Sequence, residues 1–96
     1  MTTVDIVVTR HRGLIDYLRQ QGFDVDGAIV IDHVTDPNIL VGRHVVGVLP
    51  MHLASLCTSI TVVDLNLPQD LRGADLSADQ VAQYATGIST YRVIRL

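Results

Sequence analysis

The chain contains no lysine, no glutamate and no tryptophan, and it has a single cysteine. One cysteine cannot close an internal disulfide. Cys57, inside the apolar stretch LASLCTS, therefore reads as a buried thiol. Aromatic residues fill only 4% of the 96 positions, so a core has to be built from Val, Ile, Leu and Ala. No apolar run approaches the ~20 residues of a membrane-spanning helix. Asp5 interrupts the first apolar run and no basic segment precedes it, so a secretory leader is not expected. A net charge of −3 argues against a broad surface that coats DNA by counterion release, but leaves room for a small anion held at one place. The expectation is a cytoplasmic protein that meets neither DNA nor membrane.

What is present is equally one-sided. All seven basic residues are Arg and all ten acidic residues are Asp. Codon composition is the first explanation. Guanidinium also suits phosphate, because its planar fork donates two hydrogen bonds at once. Apolar residues make up 48% of the chain, enough for one small core, and no linker or internal repeat divides it. A single domain over 1–96 is expected.

Short apolar runs alternate with helical patterns. Strands are expected at 4–9 (VDIVVT), 28–32 (AIVID), 44–49 (HVVGVL), 60–65 (ITVVDL) and 89–96 (STYRVIRL). A helix is expected over 12–21, with Leu14, Ile15 and Leu18 on one stripe and Gly22 as its stop. One helical turn follows Asp36 and Pro37, and a second helix starts at Pro50. A third starts at Ser77, whose spacing to Gln80 is that of a capping box, and ends at Gly87. Continuous apolar strands joined through helices predict an α/β fold. Its sheet is open, mostly parallel and covered by helices on both faces, in strand order 2-1-3-4 with the fifth strand on an edge.

In such a sheet ligands bind beyond the carboxyl ends of the strands, where the strand order reverses. Three polar segments are expected at that rim: TRHRG after the first strand, LPMHLA after the third and LNLP after the fourth. Arg10 and Arg12 supply charge there, Gly13 permits close backbone approach, and the helix N-termini offer free amides. His11 and His52, each near a helix start, are candidates for proton transfer. Thr9, Pro50, Asn66 and Arg72 complete the candidate set. A solvated turn is the plainer reading of TRHRG, and simple surface exposure that of His52. His44 falls at the opposite end of the sheet. His33 is on the correct rim but away from the crevice. Asp64 is read as a buried carboxylate in need of a partner. The four histidines and one cysteine have no zinc-type spacing, and no G-x-G-x-x-G, P-loop or nucleophile elbow occurs, so neither metal nor cofactor is expected.

The segments TRHRGLIDYLRQQG, GVLPMHLASLC and LNLPQDLRGADLS together resemble a small CRISPR-associated family that accompanies type III interference systems. Tyr17 stands where that family usually has Trp, and Asp75 where it usually has Glu. The resemblance covers nearly the whole chain. It implies a Rossmann-like fold akin to the CRISPR-associated Rossmann-fold sensors, and binding of a cyclic oligoadenylate, the second messenger of type III systems. It further implies a ring nuclease acting on cyclic tetra-adenylate without metal, through attack of the ribose 2′-hydroxyl. Arg10, His11, His52 and Arg72 are the motif-matched residues, and a homodimer is implied. Two other readings remain: a binder that sequesters the messenger uncut, and an interaction subunit of the defence system. A histidine-phosphatase reading of RHRG is disfavoured, because Arg12 interrupts the Arg-His-Gly motif.

Overall fold

In the computed structural model, which describes residues 2–96, the chain runs β1 (Thr2–Thr3), β2 (Ile6–Val8), α1 (Gly13–Gln20), β3 (Phe23–Asp24), β4 (Ile29–Ile31), β5 (His44–Val46), α2 (Met51–Ala54), β6 (Ser59–Leu65), α3 (Ala78–Tyr84) and β7 (Ala85–Tyr91). Two 3-10 turns, Pro37–Leu40 and Gln69–Leu71, interrupt the connections. The main sheet has the order β4-β2-β5-β6-β7. Its first four strands are parallel and β7 runs antiparallel to β6. The expected order and the edge position of the last strand are both found. The structure adds the direction of that strand.

Each central strand is buried on both sides. Ile6, Val45 and Ile60 point to one face, where they meet Leu40, Ala54 and Cys57. Their neighbours Val7 and Val46 point to the other and meet Leu14, Tyr17, Leu18, Leu76 and Val81. This two-sided burial is why the strands read as unbroken apolar runs. α1 and α3 cover one face; the Pro37–Leu40 turn and α2 cover the other. Cys57 is buried as expected, and removal from water pushes its thiol pKa up.

Local chemistry sets the helix ends. The N-cap Asp36 carboxylate accepts from the Asn38 amide at 3.1 Å, and Pro37 opens the 3-10 turn. Gly22 takes φ +91°, a turn that an L side chain resists, just past the end of α1. α3 has the full capping box: the Gln80 amide donates to Ser77 Oγ at 3.2 Å, and the Ser77 amide donates to Gln80 Oε1 at 3.0 Å. Ser77→Ala is expected to cost about 1 kcal/mol. For a domain of this size that lowers the melting temperature by about 4–8 °C, read by thermal denaturation.

Three expectations shift. A separate parallel pair, β1 with β3, was not foreseen; from it the chain passes directly into the main sheet, the Val4 amide donating to Asp24 O at 2.9 Å. α2 is a single turn. α3 stops at Tyr84 rather than Gly87, and the last strand covers 85–91 rather than 89–96. The pairing with β6 is the cause. The Asn66 amide donates to Tyr84 O at 2.9 Å, which starts the ladder directly at the helix end. Gly87 then lies opposite Asp64 within it. Beyond Tyr91 the chain leaves the sheet; Val93 packs against the cluster of Ile6, Val45 and Ile60 while Ile94 and Leu96 are exposed. Among the described residues no helix is long and apolar enough to cross a membrane.

Candidate functional site

β2 pairs with β4 on one side and β5 on the other, so the strand order reverses between β2 and β5. Beyond their carboxyl ends opens a crevice of about 480 Å³. Thr9, Arg10 and His11 enter it after β2, Asp32 after β4, Gly47 and Val48 after β5, and Asp64 from the end of β6. Val8, Val46 and Val62 form an apolar floor. Gly47 shapes it. Its φ is +153°, and a Cβ there would stand 2.8 Å from the Val8 carbonyl oxygen. Only glycine lets β5 end this close to β2.

The loop after β2 is held at both ends. The Thr9 amide donates to Ile31 O at 2.8 Å, and Thr9 Oγ1 accepts from the His11 amide at 3.0 Å. The Arg12 amide donates to Asp75 Oδ1 at 2.9 Å, with Arg12 Nε 3.4 Å from Asp75 Oδ2. The Gly13 amide donates to Leu76 O at 3.0 Å and the Leu14 amide to His11 O at 3.1 Å. These bonds correct one expectation. The amides at the start of α1 are not free for a ligand anion, because Asp75 already supplies a carboxylate at that helix end. An anion in the crevice has to rely on groups other than these three amides. Gly13 likewise serves the fold: it abuts the backbone at Leu76, Ser77 and Ala78, and with Arg12 lines a separate shallow hollow beside Asp75.

Arg10 is exposed and makes no ion pair among the described residues, so its guanidinium is available. His11 is half-buried, and its Nδ1 is buried without a hydrogen-bond partner. An unpaired buried nitrogen costs about 1–3 kcal/mol, so among the described residues His11 brings an unmet hydrogen-bonding capacity to the crevice. Arg10, His11 and Asp32 also line a second hollow of about 320 Å³ on the far side of the loop, against Ile15 and Val30.

Asp32 was not singled out from the sequence. The signal was there: it ends the strand that neighbours β2, on the ligand-binding rim. His33 Nδ1 lies 2.8 Å from Asp32 Oδ1, and this hydrogen bond holds the Asp32 carboxyl below its usual pKa. His33 itself stays outside the crevice but fixes a residue that lines it. Asp64, read as buried, is exposed at the crevice edge. The register shifts beside it: Asp64 pairs with Gly87 and Leu65 with Ala85, which leaves Thr86 of β7 as the extra residue of a bulge.

The remaining candidates do not gather with Arg10 and His11 within one chain. His52 is exposed on α2; Pro50, Asn66 and Arg72 are exposed as well, and none of the four lines the crevice. His44 is at the opposite end of the sheet, its Nδ1 2.8 Å from Ser59 Oγ.

The family model described as "Putative CRISPR-associated protein (Cas_VVA1548)" matches residues 6–94. That span contains every crevice residue. No curated protein and no solved structure matches the chain.

Proposed function

The chain belongs to this CRISPR-associated family, and from that premise we propose that it is a ring nuclease, which binds a cyclic oligoadenylate and opens the ring. The observation that carries the reading is the placement of Arg10 and His11 together in the crevice where the strand order reverses. Cyclic tetra-adenylate is the preferred substrate, on the resemblance described above. A two-fold homodimer would present the same groups to each half of a two-fold ring.

The reaction needs no external nucleophile. The 2′-hydroxyl beside each phosphodiester attacks its own phosphorus. A 2′-O–P bond forms and the P–O5′ bond breaks. The hydroxyl proton passes to a base, the departing 5′-oxygen gains one, and the product ends in a 2′,3′-cyclic phosphate. The protein has to align the hydroxyl with the leaving oxygen, balance charge on the phosphorane and move a proton. Arg10 takes the charge and His11 the proton.

Chromatography of cyclic tetra-adenylate after incubation with substoichiometric protein tests the proposal. Many rings opened per dimer, with cleavage undiminished in excess chelator, is the expected result. Loss of cleavage in chelator, restored by a divalent ion, replaces the mechanism with a metal-assisted one. An intact ring with a raised melting temperature makes the protein a binder that sequesters the messenger. No binding at all leaves the interaction-subunit reading.

A further inference from the structure

The crevice holds one guanidinium, Arg10, against two carboxylates, Asp32 and Asp64. Among these side chains the carboxylates outnumber the guanidinium by one. The start of α1 cannot compensate, because its leading amides are bound to Asp75, to Leu76 O and to His11 O. A site for a phosphorylated ligand would ordinarily carry an excess of positive charge.

We infer that the crevice is a charge filter, in which Asp32 and Asp64 admit an internal phosphodiester and reject a terminal phosphate. The inference rests on the adenylate reading above and specifies which adenylates that site accepts. A diester carries one negative charge per phosphate, whereas a phosphomonoester at neutral pH carries between one and a half and about two. The Arg10 charge matches that of the first, whereas the second brings more negative charge against the same two carboxylates.

The layout places the two acids on either side of the Arg10–His11 loop. Asp32 follows β4 and Asp64 ends β6, three strand spacings of ~4.8 Å apart, so their backbones stand about 14 Å from one another. Arg10 and His11 follow β2, which lies between them. The carboxylates also accept hydrogen bonds, and a nucleotide offers donors in its ribose hydroxyls and adenine amino group. Opening the cyclic end frees a 2′-hydroxyl as well as adding charge; that donor would favour the open form on a carboxylate, so a preference for the cyclic-ended form reports charge. His33, bonded to Asp32, fixes one arm of the filter.

The filter also orders the reaction. Ring opening through the 2′-hydroxyl leaves a cyclic phosphate of unchanged charge, which the crevice continues to hold. When water then adds across one P–O bond of that cyclic phosphate, the open monoester gains a charge and is expelled.

The test is competition against labelled cyclic tetra-adenylate by two linear diadenylates at pH 7.5, run throughout in the His11→Ala background so that the ring is bound and not opened, with Asp32 and Asp64 either wild-type or substituted. One ends in a 2′,3′-cyclic phosphate, the other in an open 3′-phosphate. With both acids in place the protein is expected to bind the cyclic-ended form about tenfold more tightly. The Asp32→Asn, Asp64→Asn double variant is expected to bring the ratio within about threefold, through a gain for the open form. Both residues are exposed, and the melting temperature checks that the variant folds. A ratio near one with both acids in place, an unchanged ratio in the variant, or no competition by the cyclic-ended form overturns the filter while leaving the adenylate reading in place. Failure of labelled cyclic tetra-adenylate itself to bind overturns both.

Discussion

Replacing His11 by alanine is expected to slow ring opening by about 10²–10⁴-fold, the range that a positioned acid or base contributes. That loss equals about 3–5 kcal/mol of transition-state stabilisation. His52→Ala is expected to change the rate less than about threefold, since a histidine outside the crevice reaches no reacting proton within the chain. Binding of the ring should survive both substitutions, because Arg10 remains. Single-turnover rates beside equilibrium titrations separate the two effects. If both variants keep the full rate, histidine has no part in the chemistry. If His52→Ala is the variant that fails, α2 must be brought to the crevice by a second copy of the chain, and the active site is shared.

Gly13→Ala is expected to damage the fold itself. A Cβ at this position would stand 2.5 Å from the Leu76 carbonyl oxygen and closer still to the backbone of Ser77 and Ala78. All three obstacles are main chain, so no side-chain rotation relieves them. α1 and α3 must separate, which also breaks the Gly13 bond to Leu76 O. Overpacking of this kind costs about 3 kcal/mol, from a total stability of about 5–15 kcal/mol. A fall of about 12–24 °C in melting temperature follows for a domain of this size. Gly27→Ala is the control: nothing lies within 4 Å of its Cβ position, and a change of no more than about 0.5 kcal/mol is expected. Thermal denaturation followed by circular dichroism compares the two. A Gly13→Ala protein that melts with the wild type would show that the two helices do not pack through this residue.

The sheet was legible because burial on both faces leaves a mark in composition. VDIVVT, HVVGVL and ITVVDL have too few polar positions to be anything but central strands; AIVID carries the same apolar run on the edge strand β4, and crossover connections restrict the order. The last strand was misplaced by four residues because Gly87 reads as a helix stop, whereas its position is set by pairing with β6, a long-range contact that local pattern does not carry. The two-residue strands β1 and β3 are too short to show a period. In the site, Arg10 and His11 could be found because polar residues at the exit of a buried strand conflict with its apolar run. Asp32 sits at the same kind of exit and was passed over. The occupied amides at the start of α1 were not legible at all, since the Asp75 that accepts from the Arg12 amide lies 63 residues away. Gly47 was hidden inside an apolar run, where its value lies in its distance from Val8.

The tie between the Arg10–His11 loop and the start of α3 has a consequence for when the protein becomes competent. Arg12 and Gly13 are locked by groups at positions 75 and 76, so the loop cannot take its shape until the far part of the chain has docked. The two amides should therefore exchange their hydrogens for deuterium only as slowly as the core strands do. Readiness to meet a ligand is then an all-or-none property of the folded domain, gained and lost together with it.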